Sequence, residues 1–262
     1  MGDSQNRIFD IIESRWDGVR KIERLRKDDD TYKVMDEVFD YDTLRSLYQL
    51  ISKEIIYTVN YPLSTGKEAK LFKGTSPDGS PLVVKVHRIS TATVKSFRPY
   101  LDGDPRFVHY KKDHRSMIFT WTQKEYKNLQ RLEDAGVFVP SPVRYLKNIL
   151  VMGYMGSEET AAPMLKDTQL EDPETFFSAV LEGLSIMVNR ANMVHGDLSE
   201  YNILVTDDGP CFIDVAQSVL LSHPAADMYL KRDVHNLCRY FKRLGVQSDE
   251  DQVLARIRKT DD

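Results

Sequence analysis

VHGDLSEYNILVTDDGPCFID, residues 194–214, decides how the rest of the chain is read. Two short apolar runs, Ile203 to Val205 and Cys211 to Ile213, flank Asp207-Asp208-Gly209, and turn residues between such runs predict a β-hairpin. Asp197 stands five residues before Asn202 at one mouth of that hairpin, and Asp214 follows Ile213 at the other. Folding the hairpin therefore brings an acid, an amide and a second acid to one end. The set suits a divalent cation and phosphate. Mg2+ takes oxygen ligands from one or two carboxylates plus substrate phosphates, and phosphoryl transfer needs a further carboxylate to orient the attacking hydroxyl. Asp and Asn are also common at strand ends and turns for structural reasons alone, so the reading rests on the hairpin and all three groups agreeing. His195 has no second His or Cys at ligand spacing, and is expected to hold backbone through a hydrogen bond.

The 262 residues suffice for one large or two ordinary domains with a full core. Hydrophobic residues make up 41% and charged ones 29%, and 36 basic against 40 acidic side chains leave a net charge of −4. That balance gives no global electrostatic reason to bind DNA or a membrane. Cys211 and Cys238 are the only cysteines, which argues against a disulfide framework and for a reducing compartment. No apolar run reaches membrane-spanning length and the start MGDSQNRIFD lacks the apolar centre of a signal peptide, so a cytoplasmic protein is expected.

Along the chain, Arg7 to about Arg26 carries an apolar stripe at helical spacing, and Leu44, Leu47, Tyr48 and Ile51 predict a second helix capped by Asp42 or Thr43. From Ile55 the pattern becomes short strands: Ile55 to Val59, Leu71 to Lys73 and Leu82 to His87. Ser64-Thr65-Gly66-Lys67-Glu68-Ala69 connects the first two. It lacks the upstream Gly of a Walker A loop, and Glu68 stands where that loop has a Mg2+-binding hydroxyl. Thr65 and Glu68 also fit a helix capping box, but the alternation that follows favours a strand-loop-strand cover over phosphates, with Gly66 and its neighbours donating backbone N–H groups. Lys85, inside the run Leu82 to Val86, is costly to bury without an anion. Trp121, Glu125, Leu129 and Leu132 share one helical face, so Glu125 sits in an apolar stripe and is the candidate partner for Lys85. Between them, Ile89 to Ser116 shows no clear periodicity and contains Pro99, Gly103 and Pro105, which predicts a functional or mobile loop. Gly136 closes the Trp121 helix; strands follow at Val143 to Leu146 and Asn148 to Met152, then the connector Gly153 to Gly156. Asp172-Pro173 starts a core helix, Asp233 is placed to cap another, and Ser248 to Lys259 forms a last one.

A loop between strands, a strand Lys, a helix Glu, a linker, and an Asp with Asn and a second Asp stand in protein-kinase order. HGD replaces the HRD of ordinary protein kinases and IDVA replaces DFG. HGDLSEYNILV, IDVAQSV followed by HPAADMYLKRDVHNLCRYF, STGKEAK, YLDGDPRF and WTQKEYKNLQRL resemble the RIO family of atypical serine kinases, in particular its type-one subfamily. The resemblance implies a two-lobed, kinase-like α+β fold. It would have a helical extension over 1–52, an N-lobe of antiparallel sheet plus helix over 53–152 with a flexible loop at 89–116, a hinge at 153–156, and a reduced, mainly helical C-lobe over 157–262. It implies ATP and Mg2+, or Mn2+ in its place. Lys85 would lie on the α- and β-phosphates, oriented by Glu125; Ser64 and Lys67 would touch phosphates; Gly153 and Met155 would meet adenine through backbone behind Met152. Asp197 would be the catalytic base, and Asn202 and Asp214 the metal ligands. Family members commonly carry an acidic residue where this chain has Gly153. The resemblance further implies an ATPase acting in late maturation of the small ribosomal subunit, with an aspartyl-phosphate on Asp214 and the pre-ribosomal particle as partner.

Only residues 215–262 follow Asp214, which leaves little chain for a peptide platform, so a protein substrate is expected to be presented by a large partner or to be the protein itself, and water becomes a further expected acceptor. Ser116 is the candidate for self-phosphorylation. Two other classes fit parts of the pattern: a small-molecule phosphotransferase, which also carries HGD with a downstream Asn and Asp, and a non-catalytic ribosome-binding module holding ATP as a structural ligand.

Overall fold

A computed structural model describes residues 40–66, 68–89, 91–157 and 160–258. The helix expected at Arg7 to Arg26 and the loop residue Lys67 lie outside them. The chain divides into two compact units, Met1–Arg88 with Val143–Val151, and Ile89–Pro142 with Met152–Asp262.

In the first unit, α1 (Tyr41–Ser52) is followed by β1 (Thr58–Thr65), β2 (Ala69–Thr75) and β3 (Pro81–His87). With β4 (Pro142–Leu146) and β5 (Ile149–Gly153) these form a five-stranded sheet in the order β1-β2-β3-β5-β4. Strands β1, β2 and β3 pair antiparallel. Asp40, rather than Asp42 or Thr43, caps α1 by accepting from the Thr43 N–H at 2.8 Å. Thr43 is turned inward instead, where its hydroxyl receives the Asn148 amide at 3.0 Å. The first strand also starts later than the apolar run suggested. Glu54 adopts a left-handed backbone, the Ile55 N–H returns to the Leu50 carbonyl, and Ile56 enters the core, so this pair of isoleucines seals the end of α1. Leu47, Leu50, Ile56, Phe72, Val84, Val86 and Val151 make that core. Pro62 is tolerated in β1 because the strand is at the sheet edge and irregular there.

In the second unit, the stretch read as a loop from Ile89 to Ser116 holds α2 (Thr91–Leu101), a 3-10 turn at Pro105–Phe107 and the first turn of α3 (His114–Asp134). Pro99 falls near the C-terminal end of α2 without preventing it, and Phe97 stacks on Trp121 with ring centroids 4.0 Å apart. Phe97, Leu101, Phe107, Met117, Ile118, Trp121 and Ala216 bury one another. Gly136, at φ +88°, closes α3 with a left-handed cap, as expected. The helix α4 (Pro173–Asn189), capped by Asp172, buries Phe177, Val180, Leu181, Leu184 and Met187. It packs beside α5 (Ala226–Arg243) and α6 (Glu250–Ile257), with Phe177 against Phe241 at 4.6 Å between centroids. Short strands β6 (Met193–Val194) and β9 (Val219–Leu220) pair antiparallel, and β7 (Ile203–Thr206) with β8 (Gly209–Phe212) forms the predicted hairpin, Thr206 opposite Gly209. Both cysteines are free and buried. Among the described residues no helix is long and apolar enough to cross a membrane.

Candidate active site

The loop 195–202 joins β6 to β7, and its shape is imposed from three sides. Asp233 lies on the buried face of α5 and accepts from the Gly196 N–H at 2.7 Å through Oδ2 and from the Leu198 N–H at 2.9 Å through Oδ1. It is therefore not the helix cap expected from the sequence. The helix begins seven residues earlier, at Ala226, and Asp233 grips the two residues flanking Asp197. Arg232 donates to the Gly196 carbonyl and Asn236 to the Leu198 carbonyl at 3.1 Å, so one helix face holds donors and acceptors on both sides of Asp197. Burial pushes the Asp233 carboxyl up to about 7, against the two N–H groups and Arg232, which favour its charged form.

The hairpin closes the second side. Asn202 Nδ2 donates to the Asp197 carbonyl at 2.7 Å, and the Ile213 N–H donates to the Asn202 carbonyl at 3.0 Å, so the two mouths of the hairpin and the loop are tied together. His195, fully buried, uses Nε2 to donate to the Ile213 carbonyl at 3.1 Å, the backbone-holding role expected of it. Burial lowers its pKa to about 4, against the opposing pull of that carbonyl and the Asp214 charge. Its Nδ1 is buried without a partner, consistent with a neutral ring.

The third side is the turn after Asp214. Asp214 is exposed and adopts a left-handed backbone, φ 57° and ψ 50°, at the head of a 3-10 turn over Val215–Gln217. Asn and Asp reach that region more readily than other L-residues. Helix α3 holds the turn: Lys124 Nζ donates to the Ala216 carbonyl at 2.9 Å and to that of Ser218, and Asn128 Nδ2 donates to the Val215 carbonyl at 2.7 Å. Burial pulls the Lys124 ammonium down to about 7, aided by the Arg106 charge and opposed by Asp104 and Glu125. Gln217 then reaches back, donating from Nε2 to Asp197 Oδ2 at 3.0 Å.

Asp197, Asn202 and Asp214 thus share one corner of the second unit, linked through Gln217 and the hairpin backbone. Lys124, Asn128, Gln217 and Arg232 were not singled out from the sequence. Lys124 and Asn128 stand one turn apart within an apolar helix pattern, the one signal that could have marked them as buried polar groups.

Glu125 is 1% exposed in α3 of the second unit, so it does not face water. Lys85 is 7% exposed in β3 of the first, opposite Leu71 and on the sheet face away from Val84 and Val86. Ser64, next to last in β1, is exposed, and the Gly66 N–H donates to the Ala69 carbonyl at 3.0 Å, with no helix among the described residues between the two strands. Met152 and Gly153 close β5, with the Gly153 N–H on the Ser141 carbonyl at 2.8 Å, while the Met155 carbonyl accepts from Ala162 at 2.9 Å. Ser116 lies in the first turn of α3, where its N–H donates to the capping Asp113 at 3.0 Å.

The donor set fits Mg2+. The Asn202 nitrogen is committed to the Asp197 carbonyl, which leaves Oδ1 as the end able to meet a cation, and Asp214 adds carboxylate oxygens. Among the described residues no three of His, Cys, Asp and Glu gather as a metal cluster, so a cation here would draw further ligands from phosphates and water, as Mg2+ does.

The RIO domain family matches residues 70–253. The RIO-type serine/threonine-protein kinase Rio1 of Haloferax volcanii is 38% identical over 231 residues, covering 88% of this chain and 79% of that protein. Its namesake from Methanocaldococcus jannaschii is 39% identical, covering 86% and 77%. The human serine/threonine-protein kinase RIO1 is 33% identical over 84% of this chain and 41% of its own length. In fold, the chain resembles the crystal structure of the Rio2 kinase-ADP/Mg2+-phosphoaspartate complex from Chaetomium thermophilum, with a TM-score of 0.61 at 24% identity, covering 84% of this chain and 67% of that one. A family match over most of the sequence, relatives of the Rio1 kind along nearly its whole length and a loop built around Asp197, Asn202 and Asp214 lead to one assignment: the chain belongs to the RIO family, in its type-one branch of atypical serine/threonine kinases.

Proposed function

We propose that the protein transfers the γ-phosphate of ATP, with Mg2+, to a serine hydroxyl or to water. The observation that carries this reading is the loop 195–202, fixed by Asp233 and closed by Asn202 so that Asp197 and Asp214 share one corner. Asp197 takes the proton of the attacking hydroxyl. Asn202 Oδ1 and Asp214 would hold Mg2+, which when bound would neutralise charge on the phosphates. Lys85 contacts the α- and β-phosphates, Ser64 and Lys67 also meet phosphates, and Met152, Gly153 and Met155 flank adenine. One route to water passes through Asp214. The bond from phosphorus to the ADP oxygen breaks as one to an Asp214 oxygen forms, and hydrolysis of that acyl phosphate restores the carboxylate and releases inorganic phosphate. The proposed setting is the cytoplasm, with a small-subunit ribosomal precursor as partner, and Ser116 is a self-phosphorylation candidate.

The test is incubation with γ-labelled ATP and Mg2+, with and without hydroxylamine. Label on Asp214 is released by hydroxylamine, whereas phosphoserine resists it. Asp197→Ala is expected to abolish serine label and phosphate release while nucleotide still binds, and to leave any acyl-phosphate label on Asp214, whose formation needs no base. Asp214→Asn, which suits the same backbone, is expected to weaken nucleotide binding by calorimetry only when Mg2+ is present. Wild-type turnover in Asp197→Ala would remove the base from the mechanism.

A further inference from the structure

The turn after Asp214 carries a side chain that the phosphotransfer reading leaves without work. Gln217 ends that 3-10 turn half-buried, with Nε2 on Asp197 Oδ2 at 3.0 Å. An ionised carboxylate only accepts, so the nitrogen end must face Asp197 and the amide oxygen Oε1 points elsewhere. The turn itself is tied down on every flank. Lys124 and Asn128 hold its carbonyls, Val219 pairs with Val194 in the β6–β9 ladder, and the Gln217 carbonyl passes so close to Gly196 that a Cβ there would meet it at 2.8 Å. Gly196, at φ +82°, is thus required both by backbone conformation and by this approach. Such support is what holds a side chain in a productive geometry.

Resting on the phosphotransfer reading above, we propose that Asp197 and Gln217 Oε1 together accept hydrogen bonds from the two O–H groups of an attacking water, so that Gln217 biases the phosphoryl acceptor toward water over a serine hydroxyl. Water offers two O–H donors and serine one. A carboxylate has about four acceptor sites, and Gln217 uses one of those on Asp197. One water proton points to Asp197, the other to Oε1, and the two bonds aim the remaining lone pair at phosphorus, a task a glutamine amide performs in nucleotide hydrolases of another fold. The step balances as follows. The water oxygen bonds to phosphorus as the bond to the leaving oxygen breaks, and the electron pair departs with that oxygen, on ADP or on Asp214 if the phosphoryl group has passed there first. One proton moves to Asp197 and from there to solvent; the other stays on the product phosphate. A serine hydroxyl can use Asp197 alone and leaves Oε1 without a donor. The difference is one net hydrogen bond, a preference of roughly five- to tenfold.

The experiment measures inorganic phosphate release and hydroxylamine-resistant serine label together, on the chain itself and on added dephosphorylated casein. It compares wild type, Gln217→Leu and Gln217→Glu, with ADP affinity and thermal melting as controls for folding. Gln217→Leu, similar in size but without donor or acceptor, is expected to lower phosphate release about tenfold and to lower the ratio of release to serine label by a similar factor. Gln217→Glu keeps an acceptor but sets a second anion against Asp197, so it is expected to move the pH profile of phosphate release upward. Phosphate release that is unchanged in Gln217→Leu, or that falls in the same proportion as serine labelling, would overturn the inference and leave the kinase reading standing. A wild-type protein that neither releases phosphate nor labels serine would overturn both.

Discussion

Replacing Asp233 by Ala removes one carboxylate and strands two donors at once. The Gly196 and Leu198 N–H groups, 2.7 and 2.9 Å from its oxygens, are buried and have no water to turn to. Each stranded donor costs about 1–3 kcal/mol. Relief from burying a charge offsets part of this, since burial already pushes the carboxyl up to about 7. The expected net destabilisation is about 3 kcal/mol, measured by urea unfolding. Asp233→Asn, which keeps one acceptor, is expected to lose about half as much. The effect on chemistry should be larger than on binding. Asp197 lies between the two released amides, and a displacement of about 1 Å at a reacting group costs about a hundredfold in rate. Single-turnover transfer at saturating ATP, at a temperature where the variant is fully folded, should therefore fall about a hundredfold with nucleotide affinity within about threefold of wild type. A variant that loses the stability but keeps the wild-type rate would show that Asp233 supports the fold without setting Asp197.

Two more expectations follow from packing and titration. A Cβ on Gly183 of α4 would sit 2.5 Å from the Phe212 ring in β8, so Gly183→Ala should destabilise by about 1–3 kcal/mol and lower the melting temperature by roughly 2–10 °C; an unchanged melt would mean that the hairpin yields freely there. The His195 pKa is depressed in the fold to about 4 from 6.5, so its contribution is intact above pH 6.5 and is lost as pH falls toward 4, when the unfolded chain takes up a proton that the folded one refuses. Wild type should lose roughly 3 kcal/mol more unfolding free energy across that interval than His195→Gln, which keeps a donor for Ile213; equal losses in the two proteins would contradict the buried neutral ring.

The site hairpin was legible because its signals are local. A two-residue turn before Gly209, short apolar runs on either side and acids at both mouths need no tertiary knowledge. The burial of Glu125 was legible because a carboxylate in an apolar stripe is anomalous on its own helix. Asp233 was not, since Asp is a common helix cap and nothing near it in sequence reveals the amides it serves some 35 residues earlier. The stretch from Ile89 to Ser116 misled through Pro99, Gly103 and Pro105. The telling pattern was Phe97, Tyr100 and Leu101 at helical spacing, whose partner, Trp121, lies on the next helix. Gln217 was illegible for the same reason as Asp233: no local pattern marks it, and its partner is brought close only by the fold.

The grip of Lys124 and Asn128 on the carbonyls of residues 215, 216 and 218 has a mechanical meaning. Any swing of α3 about its axis must either carry the Asp214 turn along or tear several buried bonds in a single event. Helix and turn therefore travel as one lever, and an effector that shifts α3 would move Asp214 and Gln217 together rather than altering one while sparing the other.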